Sequence, residues 1–205
     1  ERPDGTRNPL QTVPLTEKIQ AERFDAEIRH AEIRYYAGQL VSGSLRVGDR
    51  VTVHPSGETS AITGIDVLGE DAREAYAPQS LTLRLADQRD VSRGDMITTG
   101  ADVPSLTRDV RAAVCHLADR PLRVGDRVLV RHTTRTVKAI VKDLAGAAEL
   151  TANDLGRITL RTAEPLALDD YADSRRTGAF ILVDPADGAT LTAGMVDLGE
   201  AGSHV

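Results

Sequence analysis

The heptapeptide LRVGDRV occupies residues 45–51 and recurs, letter for letter, at 122–128, which is 77 residues later in a chain of 205. Each copy runs into alternating apolar residues, in RVTVHP at 50–55 and in RVLVRH at 127–132. Glycine tolerates the backbone angles of a tight corner, and apolar alternation places every second side chain on one face. Each copy therefore predicts a turn that leads into a half-buried strand.

A second identity at the same offset extends the repeat beyond the heptapeptide. The tripeptide TLR occurs at 82–84 and at 159–161, in both cases 37 residues after the start of LRVGDRV. Two identities at one common offset indicate two units with a similar order of strands. The length of the chain agrees, because it suffices for two domains of about 100 residues each.

Short apolar segments separated by turn residues predict strands throughout both units. This pattern predicts an all-β sandwich or barrel in each unit rather than βαβ units. The predicted strands lie near 33–42, 50–53, 60–67, 80–85 and 95–98 in the first unit, and near 111–117, 127–130, 136–141, 157–160, 178–183 and 190–196 in the second.

The N-terminal segment carries a weaker pattern. Residues 9–13 predict a further strand. Residues 17–34 mix Glu and Arg at spacings of three and four that suit a helix, while Ala26, Ile28 and His30 alternate as in a strand. We favour a strand from Ala26 onward.

Composition narrows the class of function. The net charge is −6, and aromatic residues make up 3% of the chain, with no Trp. The acidic balance argues against a broad phosphate-binding face, although it is compatible with local basic patches, and few aromatics leave few platforms on which bases could stack. The single cysteine, Cys115, excludes an intramolecular disulfide. Because no apolar run approaches the roughly 18 residues of a membrane span, and the first residues lack the apolar core of a signal peptide, we expect a cytoplasmic protein without membrane contact.

Motifs for nucleotide or metal chemistry are absent from the sequence. No Lys has a Gly neighbour, which excludes the P-loop, and DVLG at 66–69 is therefore read as a turn after a strand rather than as part of a GTPase site. The five His residues are scattered, and neither CxxC nor HExxH occurs. We predict no catalytic, cofactor-binding or metal-binding residue in this chain.

Two other groups of polar residues fit structural roles. Cys115 and His116 are neighbours, so a strand directs them to opposite faces, and we expect a buried Cys beside a surface or capped His. The carboxylate pairs Glu70-Asp71 and Asp169-Asp170 adjoin turn residues, where they cap backbone donors or face solvent.

Basic residues concentrate in the second unit. Arg131, Arg135, Lys138 and Lys142 form the most basic run, and SRRTG at 174–178 is a second basic loop. The run is interpreted as the solvated face of a hairpin, with contact to phosphate or to an acidic partner as the alternative.

Beyond these features the sequence resembles a known family. RNPLQTV at 7–13 and DVSRGDMI at 90–97 are similar to the second domain of the sulfate adenylyltransferase subunit 1 family. HTTRTVKAIV at 132–141, TAEPLALDDY at 162–171 and TGAFILVDP at 177–185 are similar to its third. The related elongation factors of the Tu and 1-alpha type share the barrel pattern more loosely.

The resemblance implies two tandem antiparallel β-barrels of the translation-factor domain II and domain III type, without the GTPase domain that precedes them in the family. It implies a GTPase subunit that assists a small catalytic subunit in making adenosine 5'-phosphosulfate from ATP and sulfate, with GTP and magnesium bound in the missing domain. The chain begins at Glu1 without an initiator Met, which indicates a processed product or a fragment. The implied organisation is a tail at 1–6, a first barrel at 7–101, a linker at 102–107, a second barrel at 108–197 and a tail at 198–205.

The sequence departs from the family pattern in two places. Residues 17–34 are longer and more charged than the usual link, and Ser174 stands where relatives often carry Asn. The expected partners are the small catalytic subunit and the GTPase domain. The alternative function is a translation-factor-like barrel module that binds tRNA or protein, which the acidic net charge disfavours.

Overall fold

The computed structural model describes residues 34–100 and 103–199. All of them belong to one compact unit, Ile33–Val205. The described residues form sixteen β-strands and no helix, which confirms the predicted all-β class. The predicted strand at 9–13 and most of the ambiguous segment at 17–34 lie outside the described residues.

The first β-domain is an antiparallel sheet with a small ribbon beside it. The sheet has the order β1-β7-β4-β3-β8, with β5 paired to β4, and β2 pairs with β6 in the ribbon. Its core contains Val51, Ile62, Ile65, Leu81 and Leu83. The strands are β1 (Tyr35–Gln39), β2 (Ser44–Arg46), β3 (Arg50–His54), β4 (Glu58–Val67), β5 (Glu70–Ala72), β6 (Glu74–Tyr76), β7 (Ser80–Leu85) and β8 (Met96–Thr99).

The second β-domain is a closed barrel with the order β11-β12-β14-β9-β16-β15, and β10 pairs with β13 beside it. Pairing of β15 with β11 closes the barrel around a core of Val, Leu, Ile, Ala and Phe side chains. The strands are β9 (Ser105–His116), β10 (Leu122–Arg123), β11 (Arg127–His132), β12 (Arg135–Asp143), β13 (Glu149–Leu150), β14 (Leu155–Leu168), β15 (Ala179–Val183) and β16 (Thr190–Val196).

Strand β9 begins earlier than the sequence pattern indicated. Its first residue, Ser105, lies inside the segment 102–107 that was predicted as a linker. Ser105 is the register partner of Leu168, and Thr107 is the partner of Leu166. The C-terminal end of the long strand β14 therefore pairs with residues 105–107 and makes them part of the sheet.

The two copies of LRVGDRV build the same local structure. In the first copy the Asp49 backbone amide donates to the Arg46 carbonyl at 3.1 Å, and the Asp49 carboxylate accepts the Arg46 amide at 2.7 Å. Gly48, with φ of 99°, donates to the Ile62 carbonyl and so ties the turn to β4. The second copy repeats these contacts with Arg123, Gly125, Asp126 and Val141.

Ion pairs next to the turns are also duplicated. Arg46 Nε lies 2.8 Å from a carboxylate oxygen of Glu74, and Arg123 Nε lies 2.8 Å from one of Glu149. These pairs cross the two short ribbons, β2–β6 and β10–β13. The repeat is therefore a structural unit used twice, as the sequence offset predicted.

Candidate functional site

The DVLG segment is the hairpin between β4 and β5. The Asp66 carboxylate accepts the Gly69 amide at 2.9 Å, and Leu68 and Gly69 both have positive φ, 57° and 87°. These contacts make the segment a tight turn, as the absence of a P-loop indicated.

Cys115 and His116 do lie on opposite faces of β9, but the predicted burial of the pair was wrong. His116 is fully buried, whereas Cys115 is half-buried. The His116 Nε2 atom donates to the Arg120 carbonyl at 2.8 Å, because a carbonyl can only accept, and Nδ1 lies 2.9 Å from the Thr192 hydroxyl. The imidazole thus links three segments of the barrel, and neither of these hydrogen bonds involves the Cys115 thiol.

Three of the four carboxylates in these pairs have structural partners, and the fourth, Glu70, is exposed. Asp71 forms an ion pair with Arg84. Asp169 accepts the hydroxyl of Thr177, and Asp170 accepts the backbone amide of Ala172. Among residues 34–100 and 103–199, no group of three His, Cys, Asp or Glu side chains is arranged to hold a metal ion.

The basic run divides into one partly buried cation and an exposed set. Arg135 keeps 20% of its side chain exposed and binds two carboxylates, with Nη1 2.9 Å from Asp95 Oδ1 and Nη2 2.7 Å from Glu164 Oε2. Arg131, Lys138 and Lys142 are exposed. The prediction that these cations form a solvated hairpin face is therefore correct for Arg131, Lys138 and Lys142 and wrong for Arg135.

Arg135 joins the two β-domains, because Asp95 belongs to the turn before β8 and Arg135 begins β12. Gly94 packs directly against it: a Cβ atom on Gly94 would lie 2.5 Å from Arg135 Cβ. Arg176 of the SRRTG loop adds a second contact, donating from Nη1 to Gln39 Oε1 at 2.7 Å. We call Gly94, Asp95 and Arg135 the junction.

A cleft of about 960 Å³ opens beside the junction. Its charges balance, since Arg93, Arg131 and Arg135 face Asp90, Asp95 and Glu164. A charge-balanced cleft has no strong preference for an anion or a cation. The arrangement can fix the relative position of the two domains, and it contains no nucleophile paired with a general base.

Burial perturbs two histidines near this region. Burial lowers the pKa of His132, and the opposing effects of a hydrogen bond to the Thr177 carbonyl and the charge of Asp169 are smaller. Burial also lowers the pKa of His54, whose Nε2 atom lies 2.9 Å from the Thr98 hydroxyl. Both shifts favour the neutral imidazole that a packed interior requires.

The sequence did not reveal the junction partners of Arg135. Asp95 was placed at the start of the predicted strand at 95–98 and Gly94 among the turn residues before it, and Glu164 carried no expectation of its own. One feature of the sequence could have drawn attention to this turn. Gly94-Asp95 is a third Gly-Asp pair, similar to the two in LRVGDRV, but it does not lie in a copy of the repeat.

The fold is that of translation-factor β-domains. A solved structure of Sup35 complexed with GDP superposes with a TM-score of 0.72, covering 79% of this chain and 43% of that chain at 20% identity. A second, of Sup35 complexed with GMPPNP, has a TM-score of 0.67 at 21% identity. Residues 109–197 match the family described as GTP-eEF1A C-terminal domain-like.

Curated relatives specify the family within this class. The bifunctional enzyme CysN/CysC of Mycobacterium tuberculosis is 42% identical over 82% of this chain, and that of Rhodopirellula baltica is 38% identical over 96%. Sulfate adenylyltransferase subunit 1 of Alteromonas mediterranea is 30% identical over 94%. The chain is a homologue of the sulfate adenylyltransferase subunit 1 family, which confirms the sequence resemblance. It spans 30%, 33% and 45% of the length of these three relatives.

The described residues do not fit a site for GTP and magnesium. The chain has no P-loop sequence, and its described part has neither a helix to cradle a phosphate nor a cluster of carboxylates for a metal. No helix in the described part is long and apolar enough to cross a membrane.

Proposed function

We propose that this chain is the two-β-domain portion of the GTPase subunit of sulfate adenylyltransferase. In that role it supports the GTP-driven formation of adenosine 5'-phosphosulfate from ATP and sulfate. The observation that carries the proposal is the alignment with sulfate adenylyltransferase subunit 1 proteins over almost the entire chain, 94% in one relative and 96% in another.

The chain contributes a scaffold to the enzyme rather than its chemistry. The junction holds the two β-domains together through a partly buried ion pair and a close backbone approach. A rigid pair of domains can transmit rotation of one part of an assembly to another. We propose that catalytic residues lie outside residues 34–100 and 103–199.

The partners follow from the same proposal. A separate GTPase domain of the complete protein binds GTP and magnesium, and a small catalytic subunit carries out the adenylyl transfer. The name subunit 1 of the relatives supports the existence of a second subunit. The cytoplasmic location stays a prediction.

Association with the small subunit tests this function. The 205-residue chain, and the longest natural protein that contains it, are mixed with the small sulfate adenylyltransferase subunit from the same source, and binding is measured by calorimetry. We expect a complex with the long protein that the chain alone reproduces at lower affinity. Failure of both proteins to bind contradicts the proposal.

Activity assays of the isolated chain provide the second arm. We expect neither GTP hydrolysis nor sulfate-dependent pyrophosphate exchange from the chain alone. Either activity in pure material would overturn the scaffold role. Binding of tRNA with the salt dependence of many phosphate contacts would instead favour the translation-factor-like alternative.

A further inference from the structure

The outer face of the second barrel presents cations around an apolar centre. Ile140, on β12, has Arg127 of β11 as its register partner on one side and Arg161 of β14 on the other. Lys138 precedes Ile140 by two residues and lies on the same face, because side chains alternate along a strand. Lys142, at the register shift that follows, is exposed as well.

A second row of the same face continues the pattern. Leu129 is the register partner of Lys138, and Arg131 is the partner of Thr136. Leu129 is half-buried, and Ile140 remains 41% exposed. We call this surface the basic face; its cations are Arg127, Arg131, Lys138, Lys142 and Arg161.

The cations of the basic face are largely unneutralised. Arg161 pairs with Asp109, an exposed contact at 2.5 Å. The ion pairs found within residues 34–100 and 103–199 include none that involves Arg127, Arg131, Lys138 or Lys142. In a chain whose net charge is −6, Arg127, Lys138 and Lys142 on one sheet face are a local reversal of sign, and Arg131 lies at the edge where this face meets the charge-balanced cleft.

The chemistry of the face suits a protein better than a nucleic acid. Exposed Ile140 and half-buried Leu129 give it an apolar centre with a charged rim, which is the anatomy of a protein interface. The face carries no aromatic side chain on which a base could stack. The overall negative charge also repels a polyanion at long range.

We propose that the basic face docks an acidic surface of the small catalytic subunit, with Ile140 and Leu129 packed against apolar side chains at its centre. This inference rests on the proposed function, because it assigns the site at which the partner binds. The complementary charge on the partner accelerates encounter and fixes the orientation of the complex.

Charge reversal at two positions tests the face. The Arg127→Glu/Lys138→Glu variant is prepared in the 205-residue chain and in the longest natural protein that contains it. Binding to the small subunit is measured at low and at high salt. At low salt we expect the variant to bind the small subunit at least about tenfold more weakly than the unmodified protein does. The difference in affinity should shrink at high salt, because salt screens the charges.

The repeat supplies a matched control. Arg50 is the counterpart of Arg127: it follows the first Gly-Asp turn, opens β3 and is exposed. Arg50→Glu is compared with the single variant Arg127→Glu, because each reverses one cation at the equivalent place in its own domain, and we expect no loss of binding from Arg50→Glu. For the apolar centre, Ile140→Ser is compared with Leu155→Ser, since Leu155 is 79% exposed on β14 outside the face. Only Ile140→Ser should weaken the complex.

The outcomes separate the two proposals. Weaker binding by the face variants, with Arg50→Glu unchanged, supports the docking site. Equal binding by all variants overturns the docking site and leaves the proposed function intact. Absence of binding by the unmodified long protein overturns both. If total tRNA binds the unmodified chain and the face variants lose it, the face is a nucleic-acid surface and the inference is wrong.

Discussion

Asp95 closes its own turn with one carboxylate oxygen and holds Arg135 of the second β-domain with the other. Oδ2 accepts the Ser92 amide at 2.8 Å, and Oδ1 lies 2.9 Å from Arg135 Nη1. The side chains of Asp95 and Arg135 are only 11% and 20% exposed. In the two LRVGDRV turns, the equivalent residues Asp49 and Asp126 accept a backbone amide of their own turn. Asp95 does the same and also joins the two domains.

The first prediction concerns loss of this contact. Arg135→Ala removes the partner of a nearly buried carboxylate, and we expect a decrease of about 1–3 kcal/mol in the free energy of unfolding. We also expect a broader distribution of distances between the domains, because Arg135 connects them. Denaturant unfolding measures the first effect, and distances between paired spin labels, one on each domain, measure the second.

A surface ion pair provides the control. Arg123 and Glu149 pair within the second domain with side chains 61% and 37% exposed. Arg123→Ala should cost less than about 1 kcal/mol and leave the distances between domains unchanged. Equal effects of the two variants would show that Arg135 has no special role at the junction.

The second prediction uses two glycines in equivalent turns. Gly94 and Gly125 have φ of 95° and 92°, so alanine at either position adopts a left-handed conformation at a cost of about 1 kcal/mol. Around Gly125 an added Cβ meets open space, whereas at Gly94 it would lie 2.9 Å from Arg135 Cα. Gly94→Ala should therefore destabilise the protein more than Gly125→Ala, as measured by thermal unfolding, and only Gly94→Ala should alter the distances between domains.

The contrast between these glycines shows what the sequence could predict. The Gly-Asp turns, the two repeat units and most long strands follow from local patterns of Gly and alternating apolar residues. The role of Gly94 does not, since it depends on Arg135, which tertiary folding brings against it. Strands of two or three residues, such as β10 and β13, are too short for any periodicity to register.

The error at His116 has a different origin. Strand alternation correctly separated it from Cys115, but two residues alone do not indicate which face is inside. Val110, Ala112 and Val114 share the parity of His116, and all three are buried. The predicted strand at 111–117 already contained Ala112 and Val114, so giving the core to the residues of their parity would have placed His116 in the interior.

The third prediction concerns the exposed hairpin tip. Leu68 has φ of 57° and is 95% exposed, so its side chain gains little from burial while its backbone is left-handed. Asparagine tolerates this conformation and forms the preferred Asn-Gly pair of a two-residue hairpin. Leu68→Asn should raise the unfolding free energy by about 0.5–1 kcal/mol, because left-handed strain is relieved. Leu68→Val, which adds β-branching at the same site, should lower it; the reverse order would contradict this account.

The last prediction concerns stability at acidic pH. Burial lowers the pKa of His132 below its ordinary value of 6.5, so the unfolded chain binds a proton there at a higher pH than the folded chain does. The folded state is therefore fully stable above about pH 6.5 and loses stability as pH falls from there through the lowered pKa. His132→Gln removes this dependence while offering the Thr177 carbonyl an amide donor. Denaturant unfolding at about pH 7 and about pH 5 should show a smaller loss of stability in the variant than in the unmodified chain.

The carboxyl groups of Glu74 and Asp154 have pKa values lowered from 4.5 and 3.8, so their stabilising contributions are lost at still lower pH. An unchanged difference between the two pH values in His132→Gln would assign the acid sensitivity to other groups, and His54→Gln, which removes the other buried imidazole of lowered pKa, is the next variant to measure.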